Sequence, residues 1–457
     1  MKSFSTIKIL NILESESKHL NESQLDKILK KSLEKKGLSP GESAQLLSID
    51  AENNNSFFEK LLKAAGKVKQ EIYGNRLVLF APLYLSDFCV NDCEYCGFHC
   101  RKGNSGRKKL SMDEIRRETE LIIGMGHKRV LIEAGEHPEN SIDYVCDAIR
   151  TIYDTKSDNG EIRRINVNIA ASSVECYRKL KDAGIGTYQL FQETYHRPTY
   201  DKLHKGPKAD YNRQLTAHER AFEAGIDDYG MGVLFGLYDY RFEVLSLLMH
   251  ARHMEEKFGV GPHTISVPRF RDAPGVDYRA ECPVTDSDFI KLIAVIRLSL
   301  PYTGMILSTR EGPDVRQKAF EIGISQASAG SRTSPGGYAT HQNAQFSLSD
   351  ERSLDQVIRG VCRQKLLPSF CTACYRSKRT GEAFMALAKS GNIHHMCHPN
   401  AILTFKEFLE DYAEPGTKEE GNAAILQEVE KIEDLERRKE TKKRLLRIGS
   451  GERDLFF

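Results

Sequence analysis

Residues Leu77–Phe98 read LVLFAPLYLSDFCVNDCEYCGF, an apolar run that opens directly into a loop carrying Cys89, Cys93 and Cys96. The run Leu77–Leu85 has the length and composition of a buried strand. From it onward, short runs rich in Val, Ile, Leu and Phe alternate with longer amphipathic segments, the pattern of repeated βα units around a parallel sheet. Eight strands are predicted: Leu77–Leu85, Arg129–Glu133, Ile165–Ile169, Thr187–Phe191, Gly230–Phe235, Thr264–Val267, Gly304–Leu307 and Gly323–Ala327. Helical stretches fall between them, at Ser111–Met125, Ile142–Tyr153, Val174–Ala183, Gln214–Ala224, Arg241–Phe258, Asp286–Leu300 and Asp314–Glu321. An α/β fold of the (β/α)8 TIM-barrel type accounts for this alternation, and its active site is expected at the rim formed by the C-terminal ends of the strands.

Outside the barrel the pattern changes. Residues 1–75 read as an N-terminal helical extension, with a helix start at Ser39-Pro40, where Ser caps and Pro occupies the first turn. The barrel is expected over 76–337. After about Gly337 the alternation stops, and 338–457 reads as a helical, charged C-terminal domain holding a further cysteine set. Its final stretch, ERRKETKKRLLRIGSGERDLFF, mixes charges at helical spacing and reads as a solvated helix.

Lys and Arg number 66 against 64 Asp and Glu, a balance that points to no polyanionic partner, so nucleic acid is not expected. Acidic residues interrupt the N-terminal segment, which therefore lacks the form of a signal peptide, and no apolar stretch is long enough to span a bilayer. A cytoplasmic location is expected. Eleven cysteines in a reducing compartment direct attention to metal ligation rather than disulfides.

Cys89, Cys93 and Cys96 fall in eight residues on the loop after the first strand. Three thiolates can hold three irons of a four-iron cluster and leave the fourth open to a small molecule. A closed zinc knot, completed by His99 or Cys100, is the alternative. Other candidates lie where strands reach the same rim. Gln192, Glu193, Thr194 and Tyr195 follow the fourth strand and offer polar groups to a ligand. Ser308 and Arg310 follow the seventh strand and Arg269 follows the sixth. A guanidinium there can clamp a carboxylate through two parallel hydrogen bonds, or serve only as a salt bridge to a neighbouring loop acid.

The spacing Cys89-x3-Cys93-x2-Cys96, with Tyr95 as the aromatic before the last Cys, resembles the radical S-adenosylmethionine (SAM) superfamily. The resemblance implies a 4Fe-4S cluster whose open iron chelates SAM and whose reduction releases a 5'-deoxyadenosyl radical. It also assigns Glu136, in Glu133-Ala-Gly-Glu-His137, to the family's Gly-Gly-Glu segment that holds the SAM ammonium, with Ala134 in place of the first Gly. The runs GNRLVLFAPLYLSDFCVNDCEYCGF, VNIAASSVE, YQLFQETYHRPTY, GLYDYRFE, VGPHTISVPRF, YTGMILSTRE, FCTACYRSKRTG and HPNAILTFKEFLEDY resemble the aromatic amino acid lyases of that superfamily. Among these they are most similar to the tyrosine lyases that mature FeFe-hydrogenase.

Cys371 and Cys374 are followed after 22 residues by Cys397. From the residues alone, an iron-sulfur site competes with a Cys3His zinc site using His394, His395 or His398. The family resemblance favours a second iron-sulfur cluster carrying an additional iron, with His263 as a ligand of that iron, and it favours Arg310 over Arg269 as the substrate clamp. The activity it implies is cleavage of L-tyrosine to p-cresol and dehydroglycine, then conversion of the fragment to CO and cyanide on iron. A reductant such as flavodoxin or ferredoxin and the hydrogenase maturation proteins are the implied partners. A thiazole-pathway tyrosine lyase and an iron-sulfur carrier or scaffold are the competing readings.

Overall fold

The computed structural model describes residues 6–16, 18, 20–103, 106–340, 345–377, 379–389 and 393–457. Its parallel strands β1 (Arg76–Ser86), β2 (Arg129–Ala134), β3 (Arg164–Asn168), β4 (Tyr188–Gln189), β5 (Tyr229–Gly232), β6 (Thr264–Ser266), β7 (Gly304–Leu307) and β8 (Gln326–Ser328) are neighbours in chain order. β8 returns to β1 through Val78↔Gln326, Leu79↔Ala327 and Phe80↔Ser328, which closes the barrel.

Successive side chains on a strand point to opposite faces, and β1 shows what this does here. Leu79, Ala81, Leu83 and Leu85 are fully buried in the layer between sheet and helices. The intervening Val78, Phe80, Pro82 and Tyr84 line the barrel interior. Stepping two residues at a time along β2 places Arg129, Leu131 and Glu133 on the inner face, from the lower end of the barrel to the upper. Phe80, Leu131 and Ile306 form an apolar cluster at mid-height. Most barrels fill all such layers with branched apolar side chains. Here the ends carry polar ones, which leaves a cavity above the middle layer and another below.

Short polar side chains set the helix starts after the rim loops. Ser111 caps Met112–Gly124 in a capping box with Glu114, and Ser141, Ser173 and Thr285 cap Ile142–Asp154, Val174–Asp182 and Asp286–Ser299. Each such cap contributes about 1 kcal/mol. In the N-terminal region, Ser39 and Glu42 form the capping box of Pro40–Leu47, and the helix Asn55–Tyr73 packs on Asp286–Ser299 and Pro313–Ile322.

Three strand boundaries differ from the sequence reading by more than one residue, and one strand is additional. The eighth strand begins at Gln326 rather than Gly323, because the Gly323 N–H still bonds to Ala319 and ends the preceding helix. The fourth and fifth strands stop at Gln189 and Gly232; Glu193 takes a left-handed φ of 68° and leaves only an isolated bridge to Val233. A ninth strand, β9 (Leu367–Ser369), pairs with the lower end of β1 through Arg76↔Leu367 and Val78↔Ser369. This strand corrects the reading of 338–457 as helical, and its central Pro368 is tolerated because the segment lies at a sheet edge. The other regular elements described within 338–457 are helices, including Ile393–Asp411, Pro415–Glu430 and Leu435–Gly449, and the first of them begins at Leu354. Among the described residues, no helix is long and apolar enough to cross a membrane.

A buried histidine ties this lower end to the barrel. His127 is fully buried, bonds through Nε2 to the Ala329 carbonyl at 3.1 Å and meets Phe370 edge-on. Burial pushes its pKa down to about 4. The folded state therefore keeps it neutral while the unfolded chain takes up a proton below the ordinary value of 6.5, so its contribution falls as pH drops from 6.5 toward 4. By pH 5 that loss is about 2 kcal/mol. A His127→Gln variant is expected to lose less melting temperature than wild type between pH 7 and pH 5; parallel thermal scans that fall equally would refute it.

Candidate active site and a second cysteine cavity

The upper cavity, of about 210 Å³, has Cys89, Cys93 and Cys96 in its wall. Their loop is held by its backbone: Val90 N–H donates to Glu136 O at 2.7 Å, Asp92 N–H to Lys205 O at 3.2 Å and Glu94 N–H to Leu203 O at 3.1 Å. Asn91 fastens three elements at once. Its Oδ1 accepts from the Lys208 N–H at 2.8 Å, and its Nδ2 donates to Glu136 at 2.8 Å and to Cys89 Sγ at 3.7 Å. Gly135 is required by this packing, because a Cβ there would lie 2.4 Å from the Phe88 carbonyl.

Tyr95, also on the cavity wall, is fixed from behind by His204, whose Nε2 lies 2.8 Å from the phenol oxygen. His204 Nδ1 lies 2.8 Å from the Tyr200 carbonyl, so Nδ1 carries the proton and Nε2 accepts from Tyr95. Burial pushes the His204 pKa down to about 3, which keeps the ring neutral and that direction of donation intact.

Burial also pushes the Cys96 thiol up to about 11 and raises that of Cys93 well above its ordinary value. Thiolates persist at such sites only when positive charge compensates them, as iron does. The Phe98 N–H already points at Cys96 Sγ at 3.5 Å, a hydrogen bond of the kind that tunes cluster potentials. The donor set fits a cluster held by Cys89, Cys93 and Cys96.

Of the other predicted residues, Glu136, Glu193, Ser308 and Arg310 line this cavity and Gln192 and Arg269 do not. Gln192 lies between two lining residues, Phe191 and Glu193, and the alternation of extended chain sends it the other way. Thr194 and Tyr195 bind Glu243 and His250 instead. Arg269 is bound to Glu311, to Asp286 at 2.7 Å and to the Val284 carbonyl at 2.9 Å. Arg310 lies over the Phe346 ring at 3.3 Å and forms no ion pair among the described residues. Its guanidinium is therefore available to an anion. Tyr84, Glu133, Asn168, Gln189 and Lys208 also line the cavity, and the sequence reading assigned none of them a role. The inward register of β1 and β2 is the signal that would have found Tyr84 and Glu133.

The lower cavity, of about 70 Å³, is lined by Cys371, Cys374, Cys397 and His263 together with Arg76, Arg129, Gln326 and Tyr375. β9 delivers Cys371 beneath the barrel, where the Arg129 guanidinium donates to its carbonyl at 3.1 Å. The Ala373 N–H points at Cys371 Sγ at 3.5 Å. A hydrogen bond from Cys374 and the charge of Arg76 pull the Cys397 thiol below its ordinary range, while the same bond pushes Cys374 up. His263 Nε2 lies 3.2 Å from the Tyr375 hydroxyl and Nδ1 3.4 Å from the Asp228 carboxylate. Burial, reinforced by Arg164 and Arg129, keeps this imidazole neutral, the state in which it ligates metals.

His398, considered as a zinc ligand, is instead bonded to the Glu428 carbonyl at 3.0 Å, and His395 is exposed; the side chain of His394 lies outside the described residues. Among the described residues, no three Cys, His, Asp or Glu side chains close around one point, at either cysteine set.

A closed barrel with three cysteines on its first rim loop, facing a cavity of polar strand ends, has the form of a radical SAM enzyme. A family model for the radical SAM superfamily matches residues 83–247, and one for the biotin and thiamin synthesis associated domain matches 266–366. The 2-iminoacetate synthase of Escherichia coli (strain K12) is 31% identical over 319 residues, which cover 69% of this chain and 82% of that protein. A crystal structure of HydG, described as a maturase of the FeFe-hydrogenase, is 54% identical with a TM-score of 0.96, each chain covered completely. The X-ray structure of the maturase HydG from Carboxydothermus hydrogenoformans is 38% identical with a TM-score of 0.83, over 96% of this chain and 99% of that one. The chain belongs to the radical SAM superfamily and, within it, to the HydG family.

Proposed function

We propose that the chain is a cytoplasmic radical SAM tyrosine lyase that cleaves the Cα–Cβ bond of L-tyrosine, releasing p-cresol and dehydroglycine, and converts the latter to CO and cyanide on iron for FeFe-hydrogenase maturation. The observation that carries this reading is the pair of cysteine cavities at opposite ends of one barrel. When bound, the upper cluster supplies the electron that cleaves SAM and so the radical that takes a hydrogen from the substrate amino group. Tyr95, Glu136 and Glu193 hold SAM, and Arg310 with Ser308 holds the tyrosine carboxylate. Cys371, Cys374, Cys397 and His263 hold the second cluster and its extra iron at the junction of the barrel, 76–337, with the C-terminal region, 338–457. A flavodoxin or ferredoxin supplies electrons, and hydrogenase maturation proteins receive the product.

The similarity to 2-iminoacetate synthase supports a second reading, in which the reaction stops at dehydroglycine. CO release separates the two. The substrate assignment is tested at Arg310: Arg310→Lys keeps the charge and loses the planar fork, so tyrosine affinity is expected to fall by about tenfold or more while SAM affinity stays within a factor of about two. Calorimetry with each ligand on the anaerobic enzyme measures this. Unchanged tyrosine affinity would remove Arg310 from the site.

A further inference from the structure

Three glutamates line the upper cavity, and two of them are committed. Glu136 pairs with Arg213 at 2.6 Å and accepts from Asn91 at 2.8 Å. Glu193 pairs with Lys208 at 2.7 Å. Glu133 is different: it lies beside the Tyr84 phenol, whose hydroxyl donates to Gln345 Oε1 at 2.8 Å, and it forms no ion pair among the described residues. The barrel register sets it beside Tyr84 on β1 and Asn168 on β3, the latter also lining the cavity. Arg310 is the charge of opposite sign that acts on it, and Glu193 the like charge. Burial, outweighing the Tyr84 hydroxyl and the Arg310 charge, pushes Glu133 up to about 7.

An α-amino acid carries its carboxylate and ammonium on one carbon. A cavity that offers one unpaired guanidinium and one unpaired carboxylate is complementary to that head group, because both charges of the ligand find partners that are otherwise unused. The ammonium is also the wrong form for the chemistry. An N–H hydrogen atom is taken readily from a neutral amine, whose lone pair stabilises the nitrogen radical, and poorly from an ammonium, which has none. A base must act first.

We propose that Glu133 accepts a proton from the substrate ammonium, so that the neutral amine faces the radical step and α-amino acids are selected over their deaminated analogues. One N–H bond of the ammonium breaks, one O–H bond forms on the Glu133 carboxyl, and no electron changes hands. This deepens the tyrosine reading and rests on it.

The test uses the anaerobically reconstituted full chain, wild type, Glu133→Gln and Glu133→Asp. Affinity is measured for L-tyrosine and for 3-(4-hydroxyphenyl)propanoate, which lacks the amine, and p-cresol formation is followed against pH. Wild type is expected to prefer tyrosine by about tenfold or more and to show an acid limb near neutrality. Glu133→Gln should lose the preference and the limb, with p-cresol formation down by about a hundredfold or more, and Glu133→Asp should restore part of each. A Glu133→Gln enzyme that keeps both preference and limb overturns the proposal. So does one that weakens both ligands equally and keeps the limb, since Glu133 would then only support Tyr84. Wild type that yields no p-cresol from tyrosine overturns the lyase reading itself. Wild-type p-cresol with an unaffected Glu133→Gln enzyme overturns only the role of Glu133.

Discussion

Replacing Cys371, Cys374 and Cys397 together with Ser is expected to abolish CO release while p-cresol formation continues. The three thiols and His263 line the lower cavity, and the residues proposed to bind SAM and tyrosine line the upper one. Phe80, Leu131 and Ile306 lie between them. Serine is nearly isosteric with cysteine, so the burial of these positions should survive, and p-cresol formation should slow by no more than about tenfold. CO trapped by a haem protein, divided by p-cresol from the same reaction, is the quantity to compare with wild type. An unchanged ratio would make the lower site structural and remove the main support for product assembly there. His263→Ala should reduce the ratio less severely, because the thiolates remain.

The second large effect concerns the other end of the barrel. With Cys89, Cys93 and Cys96 all replaced by Ala, SAM cleavage should fall to background while the lower site still takes up iron. The backbone bonds that hold this loop, from Val90, Asp92 and Glu94, do not involve the thiols, so the loop should keep its path. The two cavities share no lining residue. Electron paramagnetic resonance and iron analysis of the reconstituted variant, beside deoxyadenosine quantification, read both sites in one preparation. Loss of both iron centres would show that they are interdependent, and residual SAM cleavage would show that the ligands had been misassigned.

The order of the eight barrel strands and the helices between them was legible because apolar periodicity is local. Leu77–Leu85 and Arg129–Glu133 each carry their own signal. Departures occur where a single residue overrides a run: Gly323 still ends a helix, Glu193 turns into the left-handed region, and Pro368 hides a strand that exists only because β1 offers an unpaired edge.

The same division runs through the candidate site. Spacing alone placed Cys89, Cys93 and Cys96 on one rim loop, and position after a strand placed Ser308 and Arg310 at the cavity. Spacing could not separate Arg269 from Arg310, since the difference is Glu311 and Asp286 already bound to one of them. Nor could it separate Gln192 from Glu193, whose facing depends on where the strand ends.

By itself, then, the sequence determined the barrel, the two cysteine sets and the family, all of which rest on short-range pattern. Only the tertiary structure decided that His263, on the loop before β6, meets Cys371, Cys374 and Cys397 in one cavity, and that Glu133 and Arg310 are, among the described residues, the charges of the upper cavity left without an ion pair. Burial and pairing are through-space properties: they depend on which strands close the barrel and on which charges other residues have already claimed.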